Sequence, residues 1–218
     1  MALFQIAILA LVQGITEFLP ISSSGHLILV PIVAGWPDQG LTVDIAVHVG
    51  TLAAVVVYFH RDVAALIGGG FGLLAGRRDA NTRLAWFMIV GTVPVVIAGL
   101  AASRYLGDAL RSIEVIGWTT LVFGIALWLA DRKGATARKI EDMHLPDAVI
   151  IGLAQALAII PGTSRSGITM TAARFLGMER RDGARFSMLL SIPVIIGAGS
   201  LQGWKLYQSG DAQLTMAA

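Results

Sequence analysis

Gln13-Gly-Ile-Thr-Glu17-Phe-Leu-Pro20-Ile-Ser22-Ser23-Ser24-Gly25-His26 puts a carboxylate, three hydroxyls and an imidazole into a stretch with no other charge before Asp38. Pro20 and Gly25 interrupt helix here, so the apolar runs on either side read as two short helices rather than one long one. The same order of residue types returns at Gln155-Ala-Leu-Ala-Ile-Ile-Pro161-Gly162-Thr163-Ser164-Arg165-Ser166-Gly167. The glutamine, two serines and the final glycine align, and the prolines fall one position apart. Two polar turns that each break an apolar helical run are the mark of an inverted-topology repeat with its site at the broken helices.

Composition says what solvent surrounds these turns. Of 218 residues, 56% are hydrophobic and 14% charged, and the mean hydropathy is +0.74. A soluble domain needs more charge to cover its surface, so the solvent is lipid. The 25 glycines suit close helix packing in a bilayer. With no cysteine there is no disulfide framework and no thiol nucleophile. A net charge of +2 gives no electrostatic footprint for nucleic acid, and none is expected as a partner.

Apolar runs fall at about 2–19, 41–59, 84–102, 113–130, 146–161 and 184–204. Residues 27–35 and 168–176 are too short for a hydrocarbon core of about 30 Å. Residues 1–60 hold no Lys or Arg, which argues against a cleaved signal peptide and against a cytoplasmic N-terminus. Three connections are basic: Arg61 with Arg77, Arg78 and Arg83; Arg132 to Lys139; and Arg180, Arg181 and Arg185. A fourth, with Arg104, Asp108 and Arg111, is weakly charged. Placing the basic three in the cytoplasm gives a consistent path. The expected fold is all-α: a polytopic membrane protein with an inverted-topology repeat and two re-entrant helical hairpins meeting near the midplane. It forms a single integral membrane domain over 1–218, with repeat one at about 1–103, a linking helix at about 112–131 and repeat two at about 146–218.

Irregular backbone at membrane depth is tolerated only where protein or a wet cavity surrounds it. Gly25 permits close approach to a ligand, and Ser22, Ser23 and Ser24 suit a helix start. Backbone N–H groups of such turns, at helix N-termini, cradle anions. The second turn adds Arg165, a cation that needs an anionic partner at this depth. Phosphate fits a guanidinium fork best. Glu17 lies four residues after Gln13, on the same helix face. Hydroxyl, carboxylate, imidazole and guanidinium together are a kit for phosphoryl transfer.

The motifs Gln13-x-x-x-Glu17-Phe-Leu-Pro-Ile-Ser-Ser-Ser-Gly-His26 and Pro161-Gly-Thr-Ser-Arg-Ser-Gly167, with His48-Val-Gly-Thr-Leu-Ala-Ala54, resemble those of the bacterial undecaprenyl-diphosphate phosphatases of the bacitracin-resistance type. The resemblance implies hydrolysis of undecaprenyl diphosphate to the monophosphate in the bacterial inner membrane, recycling the lipid carrier of peptidoglycan synthesis. It puts catalytic roles on Glu17, Ser23, His26 and Arg165, with attack by Ser23, His26 or water left open. Gln13 then reads as a polar support. Ser22, Ser24, Gly25, Thr163, Ser164, Ser166 and Gly167 are expected around the substrate phosphates, some of the hydroxyls equally as helix caps. Mg²⁺ or Ca²⁺ is implied with the substrate, no metal site is expected of the protein's own residues, and a homodimer is left open. The resemblance implies a further crossing after 184–204; the sequence ends at Ala218, and either a truncated sequence or a missing last helix is expected to account for that.

A lipid-phosphate transporter with the same repeat architecture is the alternative. Asp44 and His48, four apart on one helix, have the spacing of metal ligands without a third ligand, and read as a polar helix–helix contact. Trp36, Trp86 and Trp204 sit near segment ends as interfacial anchors. The cations of Arg132–Lys139 and Arg180 read as topology signals.

Overall fold

The computed structural model describes residues 2–105 and 112–209. The weakly charged connection at Asp108 and Arg111 and the tail of repeat two lie outside them. Nine α-helices follow one another among the described residues: α1 (Leu3–Thr16), α2 (Ser23–Ala34), α3 (Gly40–Tyr58), α4 (His60–Leu74), α5 (Ala80–Tyr105), α6 (Ile113–Lys133), α7 (Leu145–Ala156), α8 (Arg165–Phe175) and α9 (Arg180–Ser209). The all-helical class expected from the sequence is the class found.

Stretches of α5, α6 and α9 are each long and apolar enough to cross a membrane, and α3 with α4 pass the same test as a pair bent by 91°. This makes the chain a multi-pass membrane protein. The helices α1, α2 and α7 are apolar but short. They form, with α8, the two hairpins whose turns the prolines and glycines announce.

One element has no counterpart in the sequence reading, which leaves 61–83 as a charged loop. There α4 lies against the start of α5. A Cβ on Gly69 would sit 2.2 Å from the Asn81 carbonyl oxygen, so only glycine lets the two backbones approach this closely.

Packing follows the inside-out rule of lipid. The densest cluster joins Phe87 of α5, Ile151 of α7, Ala173 of α8, and Phe186 and Leu189 of α9, with Met143 from the preceding loop. By contrast α6 turns Trp118, Leu121, Val122, Ile125 and Trp128 outward. With lipid tails as apolar as leucine, such helices are held by close packing and polar contacts rather than by escape from water. Those polar contacts include the basic clusters. Arg174, 3% exposed, donates to the Asp131 carboxylate at 3.2 Å and to the carbonyls of Gly134, Ala135 and Met178. Arg180 donates to the same carboxylate, Arg138 to Asp147, and Arg185 to Asp62. Residues read from sequence as topology signals therefore also tie the linker after α6 to hairpin two.

Candidate active site

The first helix ends where the turn's chemistry begins. Glu17 caps α1, its N–H bonding Gln13 O at 2.9 Å. The chain then bends to Ser22, whose φ of 61° makes it the one non-glycine residue with positive φ among the described residues. Backbone held in such a region costs about 1–3 kcal/mol and persists only where surroundings fix it. Here the Ser22 hydroxyl accepts from Gly25 N–H at 3.2 Å, N-capping α2, and its carbonyl takes the His26 N–H at 3.2 Å and Nδ1 at 2.8 Å.

The second turn is capped the same way, Ser164 Oγ accepting from Gly167 N–H at 3.0 Å. Gly162 before it has φ of 87°, and a Cβ there would sit 2.2 Å from Thr119 Oγ1. Thr119 and Thr120 of α6 donate to the carbonyls of Pro161 and Gly162 at 2.7 and 3.1 Å. The turn is thereby held against α6 with these two carbonyls satisfied.

The two turns meet. Ser166 Oγ donates to Leu19 O at 3.0 Å, and Arg165 Nη2 reaches Glu17 Oε1 at 2.8 Å while its Nη1 bonds Ser187 O of α9 at 3.2 Å. The other carboxylate oxygen, Oε2, accepts from Ser23 Oγ at 2.6 Å and Gln13 Nε2 at 2.8 Å. His48 Nε2 lies 3.3 Å from it. Glu17 is 5% exposed, yet both of its oxygens are occupied, as a buried carboxylate requires. A short hydroxyl-to-carboxylate bond is the arrangement that removes a proton from an attacking serine.

Glu17, Ser23, Ser24, His48, Thr163 and Arg165 line a cavity of about 430 Å³ together with the apolar side chains of Ile28, Ile45, Val95, Val194 and Ile195. Thr163 Oγ1 is buried without a protein partner, a donor left for whatever fills the cavity. A larger hollow of about 1210 Å³ lies beside α1, α3 and the start of α9. On its rim Arg185 is paired with Asp62, and none of its lining residues is a serine or a threonine.

Of the residues expected at the site, Glu17, Ser23, Arg165 and Gln13 come together. The Gly25 and Gly167 N–H groups are occupied by the caps Ser22 and Ser164, and Ser166 braces one turn against the other. His26 bonds the Ser22 carbonyl and is not part of the cavity wall. The imidazole in the wall is that of His48, which sequence reasoning left as a helix–helix contact. An ionisable residue in mid-span was the available signal. Among the described residues no group of three His, Cys, Asp or Glu could hold a metal. Glu17 is the carboxylate at the centre of the cluster, and both of its oxygens accept hydrogen bonds from Ser23, Gln13 and Arg165.

Fold and site together define a multi-pass, all-helical membrane protein with a serine–carboxylate–guanidinium cluster at the meeting of two hairpins. The chain belongs to the bacitracin resistance protein BacA family, which matches residues 6–218. It is 57% identical over 216 residues to an undecaprenyl-diphosphatase of Ruegeria pomeroyi, covering 98% of this chain and 80% of that protein. It is 56% identical over 215 residues to one of Jannaschia sp., with the same two shares, and 55% over 213 residues to one of Teredinibacter turnerae, covering 97% and 81%.

Proposed function

We propose that this chain is a phosphatase that hydrolyses undecaprenyl diphosphate to undecaprenyl phosphate and inorganic phosphate in the bacterial inner membrane. The observation that carries the reading is the Glu17 carboxylate, bonded on one oxygen to Ser23 and on the other to Arg165. Relatives covering nearly the whole chain bear the name undecaprenyl-diphosphatase, which supplies the substrate.

In this reading the diphosphate sits against the polar groups of the cavity and the first prenyl units against its apolar side chains. Ser23 Oγ attacks the terminal phosphorus while Glu17 Oε2 takes its proton. Arg165 holds the charge that builds on the phosphoryl oxygens, and Thr163 Oγ1 donates to one of them. A divalent ion such as Mg²⁺ or Ca²⁺, held mainly by the substrate's own phosphates, would neutralise part of their charge, while every bond and proton in these steps is handled by the chain's own residues. The carrier is thereby returned to peptidoglycan synthesis.

Release of phosphate from undecaprenyl diphosphate by the purified protein in detergent tests this directly. The expected result is turnover by the wild type and at least a hundred-fold loss in Glu17→Ala. A transporter has no gradient to work on in detergent, so a silent wild type would sink the phosphatase reading.

A further inference from the structure

The contact between His48 and Glu17 has a proton count that the roles above leave unused. His48 Nδ1 lies 2.6 Å from the backbone carbonyl of Asp44. A carbonyl oxygen only accepts, so Nδ1 carries a hydrogen. The other ring nitrogen then faces Glu17 Oε2 at 3.3 Å. Without a second hydrogen, that nitrogen's lone pair would point at a carboxylate oxygen. Glu17 Oε2 already accepts from Ser23 and Gln13, so the hydrogen between the pair belongs on Nε2. Both residues line the cavity, and the His48 side chain, 25% exposed against 4% for Glu17, is the more open of the two.

We propose that His48 is the proton-carrying partner of Glu17, orienting Oε2 toward Ser23 and passing protons between Glu17 and the leaving phosphate. The inference rests on the phosphatase reading. When Ser23 Oγ bonds to the terminal phosphorus, the bridging P–O bond breaks and its electron pair leaves on the prenyl monophosphate. The Ser23 proton goes to Glu17 Oε2, the Nε2 proton of His48 goes to a leaving phosphate oxygen, and the Glu17 proton crosses to Nε2. The pair ends as it began. Water then attacks the phosphoserine, giving its proton to Glu17 and from there to Ser23 Oγ as that bond breaks.

Other groups facing His48 differ in kind. Hairpin one presents Glu17 and Ser23, hairpin two presents Arg165, its own helix presents Asp44, and α5 and α9 contribute apolar Val95, Val194 and Ile195 to the same cavity. Ser23 and Arg165 also donate to Glu17, but among these groups the imidazole is the one that can both give up and take back a proton near neutral pH while in contact with the carboxylate.

The test is the pH profile of kcat for phosphate release by His48→Gln and His48→Ala in the full chain. Glutamine keeps an N–H toward Glu17 but carries no transferable proton. His48→Gln should lose about a hundred-fold in kcat with KM within about two-fold, and lose the alkaline limb that the wild type has. His48→Ala, whose missing ring opens onto the cavity, should regain several-fold activity with added imidazole. Wild-type kcat and both limbs in His48→Gln, or no imidazole rescue of a folded His48→Ala, would overturn the proposal. A silent wild type would instead overturn the phosphatase reading, and this inference with it.

Discussion

A carboxylate that takes a serine hydrogen at 2.6 Å on one oxygen and a guanidinium at 2.8 Å on the other has no freedom to turn. That rigidity makes the residue-level predictions sharp. Ser23→Ala removes the oxygen proposed to attack and should abolish most turnover, whereas Ser24→Ala should keep most of it, since among the described residues Ser24 Oγ hydrogen-bonds Ser22 Oγ at 3.3 Å rather than Glu17. Normal turnover by Ser23→Ala would move the attack to His26 or to water. Arg165→Lys should fail to rescue, because one ammonium cannot reproduce a fork that spans Glu17 Oε1 and Ser187 O; wild-type phosphate release by that variant would refute the clamp. Glu17, Ser23 and Arg165 were legible in the sequence because a charge or hydroxyl inside an apolar run has no partner except another such group. His48 was not, since its partner lies on a different helix and four-residue spacing pointed at Asp44 instead. Ser166 was ambiguous for a related reason. A hydroxyl at a helix start satisfies a cap on paper, and only the assembled turns reveal that it bonds across to Leu19.

The hairpins were the most legible elements. Pro20 with Gly25 and Pro161 with Gly167 mark where helix cannot continue, and the structure breaks α1 from α2 and α7 from α8 at those places. The return arm of the second hairpin starts three residues earlier than its apolar run suggests, at Arg165 rather than Ile168, because Ser164 caps it. Hydropathy alone could not see a helix start led by an arginine. The elbow before α4 was illegible for the opposite reason: the glycines of 68–72 argue against helix by propensity, and packing on α5 overrides them. At this scale Gly162→Ala is the informative change. Its φ of 87° and the 2.2 Å approach to Thr119 Oγ1 leave no room for a methyl group. The variant should lower the melting temperature in detergent by several degrees and displace Arg165 with it, cutting turnover more than binding. An unchanged melting temperature would mean the turn is softer than described.

Across the whole molecule, hairpin one brings Ser23 and Glu17, hairpin two brings Arg165, and α9 anchors that cation through Ser187. Separating the charges should therefore cost more than deleting both. Glu17→Gln and Arg165→Met should each lose about 3–5 kcal/mol of stability, while the double variant loses less than the sum of the two. Additive losses in thermal unfolding would show the pair to be uncoupled. The contact has a further meaning for biogenesis. Arg165 follows Glu17 by 148 residues, so at about 5–20 residues per second the ribosome delivers the counter-charge roughly 7–30 s after the carboxylate. Through that interval the first hairpin holds an acid with no cation, and it should stay in contact with water until the second hairpin arrives. Because the chain has no cysteine of its own, Thr16→Cys reports this cleanly. A water-soluble maleimide should label it in nascent chains arrested before Arg165 and not in the finished protein. Equal labelling of both would mean that the first hairpin settles alone.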